Sequence, residues 1–188
     1  MISAITPSHS VKHLAELYAC LLTQSIENWE WIILLNGDVV RSDVDTCIRG
    51  DARVVIIEDT TGNDNIGYLK HRAFFLGIGD ILVELDHDDI ITPDWFEKVQ
   101  AAFADPEIGF VYSDNTKLNE TGKFIPYNKA DADPMAWIDY MPDHLRAWRT
   151  NVYHQVGGHD RNQSVLADQD LIVRTYMVSK FHHIPAHN

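Results

Sequence analysis

The feature that most constrains the fold is an alternation of uniformly apolar segments with segments of helical periodicity. Residues 31–35, 54–57 and 81–85 are short runs that are apolar almost throughout, and residues 3–6 form a similar run at the start of the chain. Between them, over residues 11–22 and 66–76, apolar side chains recur every three to four positions. Strands that are apolar on both faces must be covered on both faces. The sequence therefore predicts an α/β fold, Rossmann-like, with a mostly parallel central sheet and helices on both faces.

The second half of the chain is less regular. Residues 109–118 and 123–127 predict a hairpin that turns at residues 119–122, and residues 131–142 have no clear pattern. A strand at 145–148, a helix at 168–177 and a last strand at 181–184 follow. Before this half, Thr92 and Pro93 predict the cap and first turn of a helix. We expect one domain over residues 1–188, divided into halves 1–108 and 109–188.

The net charge of the chain limits its ligands. A formal charge of -13 argues against a nucleic-acid partner, because phosphate backbones require a basic surface. An acidic protein can hold a diphosphate only with a cation between them, so a phosphorylated ligand would imply a divalent metal. No apolar run approaches the roughly 18 residues of a membrane span. The N-terminus also lacks a signal-peptide pattern, so a cytoplasmic location is expected, with peripheral attachment to a membrane left open.

Three acidic residues, Asp86, Asp88 and Asp89, directly follow the predicted strand at 81–85. Ligands of open α/β sheets bind outside the carboxyl ends of the strands, and carboxylates two residues apart can bind one hard cation. A solvated loop would look the same on composition alone. A calcium-binding loop is excluded, because Ile90 and Ile91 replace the polar ligand and the glycine that such a loop needs.

Several segments, taken together and in order, resemble the inverting GT-A glycosyltransferases of family 2. They extend over nearly the whole chain. They are Thr6-Pro7-Ser8 after the first strand, Leu21 to Ser25 with Trp29 to Ile33, Asn65-Ile66-Gly67 with Lys70-His71, Leu85-Asp86-His87-Asp88-Asp89 as the DxD motif, Val156-Gly157-Gly158-His159-Asp160, and Ala167-Asp168-Gln169-Asp170-Leu171 with Arg174.

The resemblance implies a GT-A fold and transfer of a sugar from a nucleotide diphosphate, with UDP-sugar as the expected donor, to a hydroxyl of a glycan or related acceptor. Residues 1–108 would bind the nucleotide sugar and residues 109–188 the acceptor. Asp168 would be the catalytic base, and Asp88 with Asp86 would bind Mn²⁺ or Mg²⁺. The implied contacts to the nucleotide sugar are Pro7, Ser8, Asn36, Asp38, Lys70, Asp86, His87 and Asp88.

The chain departs from the family pattern at two of these positions. Asn36-Gly37-Asp38 replaces a pair of acids, which leaves open whether Asn36 or Asp38 contacts the base. Ala167 replaces the glutamate that often precedes the catalytic aspartate. A carboxylate at a helix start is also common for structural reasons, which would explain Asp168 and Asp170 equally well.

Two other functional classes compete with this interpretation. A sugar nucleotidyltransferase uses a similar sheet, but Thr6-Pro7-Ser8-His9-Ser10 lacks the glycine-rich, basic loop that grips a triphosphate. A module that binds nucleotide sugars without catalysis is the second class, and only an assay of turnover separates it from an enzyme.

Overall fold

The central sheet has two parts that differ in strand direction. The computed structural model describes residues 1–48, 50–118, 124–127, 142 and 145–187. Its strands are β1 (Ile2–Ser8), β2 (Trp29–Leu35), β3 (Val54–Glu58), β4 (Ile81–Glu84), β5 (Ile108–Leu118), β6 (Phe124–Tyr127), β7 (Arg146–Arg149) and β8 (Lys180–His187). Their order is β3-β2-β1-β4-β7-β5-β6, and β8 pairs with β5. The first four strands are parallel, whereas β7 is antiparallel to both β4 and β5.

The insertion of β7 keeps most strands pointing one way. Because β7 is antiparallel to both of its neighbours, β5 runs in the same direction as β4, and β8 is parallel to β5. The carboxyl ends of β1 to β5 and β8 therefore lie at one edge of the sheet, together with the amino end of β7. We call this the carboxyl edge. The predicted mostly parallel α/β sheet is confirmed.

Helices cover both faces of the sheet, as predicted. They are α1 (Leu14–Leu22), α2 (Arg41–Asp45), α3 (Ile66–Phe74), α4 (Trp95–Ala102), α5 (Thr150–Gln155) and α6 (Ala167–Tyr176). One buried cluster joins the sheet to α1, α2 and α4, and a second joins its other face to α3, α5 and α6. None of the helices in the described ranges combines the length and the hydropathy of a bilayer-spanning segment.

On the α3–α6 face, the sheet changes from apolar to charged within two residues. One row across β4, β7 and β5 lies in the second core and consists of Leu82, Trp148 and Phe110. The next row on the same face, nearer the carboxyl edge, consists of Glu84, Arg146 and Tyr112. Since side chains two residues apart on a strand share a face, the polar row directly borders the core.

The start of α4 differs from the prediction. Helix α4 begins at Trp95 with Asp94 as its N-cap, so the prediction that Thr92 caps it and Pro93 lies in its first turn is wrong. Thr92 instead belongs to the preceding turn, where its carbonyl oxygen accepts from the Trp95 N–H at 3.1 Å and its hydroxyl donates to Asp94 Oδ1 at 2.7 Å. In the first turn of α4, the Phe96 N–H donates to Gln24 Oε1, from beyond α1, at 3.0 Å, so Gln24 rather than Thr92 satisfies a free backbone donor there.

The hairpin of β5 and β6 is confirmed by their antiparallel pairing. Its predicted turn at residues 119–122, and residues 131–141 of the irregular stretch, lie outside the described residues. Helix α5, which has only six residues, was not expected from the sequence.

Candidate active site

An acidic turn follows β4 at the carboxyl edge. Asp89 holds this turn together, because its Oδ2 accepts from the Asp86 N–H at 2.8 Å and its own N–H donates to the Asp86 carbonyl oxygen at 3.1 Å. Asp86 is half-buried and Asp88 is exposed. The structure thus divides the three acids: Asp89 stabilises the local backbone, and Asp88 is the one most open to solvent.

The ends of β1 and β2 lie beside each other at the same edge. Pro7 and Ser8 are the last two residues of β1, and both are buried. The Ser8 hydroxyl donates to the Ser10 carbonyl oxygen at 2.6 Å and accepts from the Ser10 N–H at 3.3 Å, so it closes the loop that follows. The Asn36 N–H donates to the Ser8 carbonyl oxygen at 3.0 Å. Asn36 is half-buried and Asp38 is exposed in the adjoining turn.

His87 connects the acidic turn to the loop after β1. Its ring packs edge-on against His9, with centroids 5.0 Å apart and an interplanar angle of 75°. Since β1 lies between β2 and β4, the predicted nucleotide-sugar residues on these three strand ends occupy one continuous stretch of the carboxyl edge.

Helix α3 delivers Lys70 to the sheet. Asn65 caps the helix, because its Oδ1 accepts from the Tyr68 N–H at 3.2 Å. A glycine is required at position 67, since a Cβ there would lie 2.2 Å from the Asp160 carbonyl oxygen. This close approach brings α3 against the loop before α6. One turn further on, Lys70 is buried and points to the carboxylates of β4 and α6.

Lys70 belongs to a cluster of four charged side chains over the α3–α6 face of the sheet, which we call the charge quartet: Lys70, Glu84, Arg146 and Asp168. Lys70 Nζ lies 2.5 Å from Glu84 Oε1, and 3.0 and 3.1 Å from the two oxygens of Asp168. Arg146 Nε lies 2.8 Å from Glu84 Oε2, and Arg146 Nη2 lies 3.1 Å from Asp168 Oδ2. Each cation therefore bridges both carboxylates, and the four formal charges sum to zero.

Burial and pairing act in opposite directions on this cluster. Burial by itself raises the pKa of Asp168, but Arg146, His159 and Lys70 outweigh it and hold that pKa well below the usual range for a carboxyl. Burial by itself lowers the pKa of Lys70, but the carboxylates of Glu84 and Asp168 outweigh it and raise that pKa above its ordinary value. Asp168 is therefore ionised and Lys70 protonated at neutral pH. The Asp168 side chain is still 22% exposed, whereas the Glu84 side chain is 0% exposed.

A histidine and a tyrosine extend the cluster away from solvent. His159 Nε2 lies 3.5 Å from Asp168 Oδ1, and His159 Nδ1 lies 2.8 Å from the Tyr153 hydroxyl oxygen. Burial lowers the pKa of His159, although Asp168 opposes this. A neutral ring that accepts the Tyr153 O–H at Nδ1 carries its own proton on Nε2, facing Asp168. The ring thus helps to orient the carboxylate without adding a full charge.

Asp168 and Asp170 lie in the same helical turn but face different partners. The chain enters α6 through Leu166, whose φ of 61° is left-handed, and Asp168 then turns toward the sheet. Asp170 pairs with Arg174 at 2.5 Å. Arg174 also donates to the Val156 and Gly158 carbonyl oxygens, and so fixes the double-glycine turn.

Asp170 and Arg174 line a polar cavity of about 420 Å³, together with residues that include His71, Asp160 and His159. Asp168 is not among the residues that line it. The two aspartates of this segment therefore serve different parts of the structure.

Two groups of side chains could be considered as metal ligands. Glu84, His159 and Asp168 offer ligand atoms that lie within 4.8 Å of one another. However, Lys70 and Arg146 already bind both of these carboxylates, and a divalent cation there would be repelled by two positive charges.

The acidic turn is the other candidate for a divalent cation. Asp86 and Asp88 supply hard oxygen donors of the kind that Mg²⁺ and Mn²⁺ prefer. Within the part of the chain that the structure describes, Asp88 forms no ion pair with a lysine or arginine. The assignment of a metal to Asp86 and Asp88 therefore stays a prediction.

The sequence interpretation assigned no role to Glu84, Arg146, His159 or Tyr153. Glu84 is the one charged residue in the run 81–85, and Arg146 similarly interrupts the predicted strand at 145–148. A charge within an otherwise apolar strand could have marked both residues, because such a charge must find a partner when it is buried.

The chain is similar to known glycosyltransferases in sequence and in structure. The sequence model of "Glycosyl transferase family 2" matches residues 3–160. The glucosyl-dolichyl phosphate glucuronosyltransferase of Haloferax volcanii is 23% identical over 185 residues, which is 89% of this chain and 58% of that protein.

Among solved structures, S. aureus TarS (residues 1–349) superimposes with a TM-score of 0.82 at 15% identity, over 97% of this chain and 57% of that one. Its complexes with UDP and UDP-GlcNAc also match. The mannosyltransferase PcManGT of Pyrobaculum calidifontis, in complex with GDP-Man and Mn²⁺, superimposes with a TM-score of 0.74 at 16% identity, over 98% of this chain and 54% of that one. These superpositions confirm the predicted GT-A fold. The chain spans less than two thirds of the length of each of these relatives.

Proposed function

This chain belongs to glycosyl transferase family 2, and we propose that it transfers a sugar from a nucleoside diphosphate, with a UDP-sugar as the favoured donor, to a hydroxyl of a glycan or related acceptor with inversion at the anomeric carbon. One observation carries the proposal. An acidic turn suited to a divalent cation and a carboxylate held ionised by two buried cations lie at the same edge of one sheet.

The donor would bind along the ends of β1, β2 and β4. Pro7 and Ser8 shape the loop against which the base would lie, and the adjoining turn offers Asn36 and Asp38 as polar contacts. The favoured base is uracil because TarS, which shares the fold, has been solved with UDP and UDP-GlcNAc. PcManGT was solved with GDP-Man, so guanine is the natural competitor in any test.

The diphosphate would lie over the acidic turn, where a chain with a formal charge of -13 cannot hold it unaided. Asp86 and Asp88 would hold Mn²⁺ or Mg²⁺. When bound, such an ion supplies positive charge that stabilises the diphosphate as the sugar–phosphate bond breaks.

Asp168 would act as the base. An acceptor hydroxyl is a weak nucleophile and needs a proton acceptor within hydrogen-bond reach. As the acceptor oxygen bonds to the anomeric carbon, the bond from that carbon to the phosphate oxygen breaks and the electron pair leaves with the diphosphate. The acceptor proton becomes acidic during this step, so Asp168 can take it although its pKa is low. Attack opposite to the leaving group inverts the configuration.

Lys70 was predicted to contact the ribose or the phosphates. Its ammonium ion is engaged by Glu84 and Asp168, so the contribution we propose for it is to hold the base, with any contact to the donor secondary.

The proposal is tested by a thermal-shift screen. We expect UDP to raise the melting temperature in Mn²⁺ or Mg²⁺ but not in excess chelator, because a ligand that binds only the folded state stabilises it by about 2.7 kcal/mol at a concentration 100 times its Kd. GDP serves as the matched competitor. Equal stabilisation by UDP in chelator would overturn the metal-bridged diphosphate.

Product analysis separates the remaining classes. A glycosyltransferase releases UDP from a UDP-sugar, by transfer to an acceptor or slowly to water. A nucleotidyltransferase instead releases pyrophosphate from UTP and a sugar phosphate. Metal-dependent binding of nucleotide sugars with neither product would identify a binding module.

A further inference from the structure

Glu84 places a carboxyl group where the sheet would be expected to be apolar. It follows Leu82 on the same face of β4, it is completely buried, and its neighbours Val83 and Leu85 belong to the first hydrophobic core. Burying an ionised carboxylate is costly unless it is paired. Glu84 is paired twice, with Lys70 at 2.5 Å and with Arg146 at 2.8 Å.

Stability alone does not account for this arrangement. A buried ion pair is often no more stabilising than apolar side chains of similar volume, because the cost of removing the charges from water offsets their attraction. One row further from the edge, Leu82 and Trp148 occupy the corresponding positions of the same two strands without any charge. The row that contains Glu84 differs from it in lying beneath Asp168, the partly exposed carboxylate.

The geometry gives Glu84 a defined effect on Asp168. Each oxygen of Glu84 binds one cation: Oε1 binds Lys70, and Oε2 binds Arg146. The same two cations then approach Asp168 from the side of the sheet, at 3.0 and 3.1 Å. Glu84 thus gives each cation a carboxylate oxygen of its own, on the side away from Asp168. Glu84 also balances the second positive charge, so that Asp168 faces a net charge of one rather than two.

We propose that Glu84, acting through Lys70 and Arg146, is a positioning residue that fixes the orientation of the Asp168 carboxylate. The role assigned to Asp168 rests on the proposed function. Glu84 itself touches neither the acceptor nor the donor; it sets where the reactive carboxylate lies.

The first test is Glu84→Gln, which keeps the shape of the side chain. A glutamine offers one acceptor oxygen and one donor NH₂ group in place of two acceptor oxygens, so it can satisfy Lys70 or Arg146 but not both. In a crystal structure of the variant, we expect one of the two contacts to Asp168 to lengthen beyond hydrogen-bond range. Unchanged positions of Lys70, Arg146 and Asp168 would overturn the proposal. This readout needs no substrate, so it stands even if no donor is turned over.

The second test separates positioning from stability. The double variant Glu84→Met with Arg146→Met replaces one ion pair by two apolar side chains and leaves Lys70 bound to Asp168. We expect its stability to urea to be close to that of the wild type. Its release of UDP from UDP-glucose or UDP-N-acetylglucosamine should fall about 10²-fold, the loss that a misplacement of about 1 Å can cause. Binding of UDP with Mn²⁺ should be unchanged.

A matched control is Asp51→Asn, which breaks the Arg53–Asp51 ion pair away from the carboxyl edge, ahead of β3. It should leave the release of UDP unchanged. A double-methionine variant that folds and releases UDP at the wild-type rate would overturn the positioning role. If the double variant fails to fold, the crystal structure of Glu84→Gln alone tests the positioning role. A wild-type protein that releases no UDP from any donor contradicts the proposed function instead, and leaves the crystallographic test intact.

Discussion

Two groups of acidic residues lie at the carboxyl edge, one around Glu84 at the end of β4 and one in the acidic turn that begins two residues later, and their surroundings are opposite. Glu84 and Asp168 are bound by two buried cations that belong to the protein. Asp88, in the acidic turn, is exposed and forms no ion pair with a lysine or arginine of the described residues. The difference arises where the chain leaves the sheet. Glu84, the last residue of β4, faces the α3–α6 side, Leu85 packs into the first core, and the chain becomes exposed at Asp88.

The comparison indicates which charges the protein supplies and which it must obtain from outside. A carboxylate that is needed in one fixed orientation is surrounded by built-in cations, whose positions are set by the fold. A carboxylate that must bind an exchangeable cation is left open to solvent. On this view the charge quartet and the acidic turn are complementary parts of one site. Substitutions in the quartet should lower stability and turnover, whereas substitutions in the acidic turn should lower metal-dependent binding of UDP.

The largest expected effect is that of Asp168→Asn on turnover. The asparagine keeps the size of the side chain but removes the proton acceptor, so the rate of transfer should fall by about 10²–10⁴-fold, the usual contribution of a general base. UDP binding in Mn²⁺ should remain near normal. Because the substitution also leaves Lys70 and Arg146 with one carboxylate, we expect a lower melting temperature, and the rate must be measured well below it. Normal turnover by the folded variant would remove Asp168 from the mechanism.

The second prediction concerns Lys70→Met. Removing one partner of a buried cluster leaves Glu84 and Asp168 with a single cation, so the free energy of unfolding should fall by about 3–5 kcal/mol. Urea denaturation with a constant slope in denaturant measures this loss. A loss below about 1 kcal/mol, typical of an exposed pair, would show that solvent already screens the quartet.

The third prediction is the counterpart in the acidic turn. Asp88→Ala should leave the stability of the free protein unchanged or slightly raised, because the residue is exposed and lies among like charges. The stabilisation of about 2.7 kcal/mol that UDP confers with Mn²⁺ at 100 times its Kd should disappear. The same thermal-shift measurement with Asp80→Ala is the control, because Asp80 is an exposed acid that precedes β4 at the opposite end of that strand. Full retention of the Mn²⁺-dependent shift in Asp88→Ala would identify the acidic turn as a solvated loop.

The contrast between the two groups also marks what the sequence could and could not predict. The strands β1 to β4 and the helices α1 and α3 follow from the apolar runs and the helical periodicity, which are local patterns. The acidic turn could be predicted because its members are adjacent in the sequence and follow a strand. Resemblance to a family then gave Asp168 a predicted role.

The charge quartet could not be predicted in this way. Its members come from α3, β4, β7 and α6, and Lys70 and Asp168 are separated by 98 positions. No local pattern predicts that such residues meet, since this depends on β7 being inserted between β4 and β5. A glutamate in an apolar run, such as Glu84, indicates that a partner is needed if the residue is buried, but not which residue that partner is. Its burial becomes evident only once Arg146 is known to pair with it across β4 and β7.

The smallest expected effect is that of Asp170→Asn, and it is the sharpest check on the comparison. Asp170 lies two residues beyond Asp168 in the same turn of α6, but it forms an (i, i+4) ion pair with Arg174, and both side chains are about one-third exposed. Pairs of this kind contribute about 0.3–0.5 kcal/mol, so the loss of stability should be of that size. Arg174 keeps its bonds to the carbonyl oxygens of the double-glycine turn.

Turnover of Asp170→Asn should therefore stay within about threefold of the wild type, measured under the same conditions as Asp168→Asn. A threefold change corresponds to less than about 0.7 kcal/mol of activation free energy. The two variants make the same chemical change within one helical turn, so the ratio of their turnover rates measures the effect of a position that faces the quartet. If Asp170→Asn abolishes transfer and Asp168→Asn does not, the base is displaced by two residues and belongs to the polar cavity beside Arg174. Lys70 and Arg146 would then hold a structural carboxylate. The claim that built-in cations surround the catalytic carboxylate would be wrong for this site.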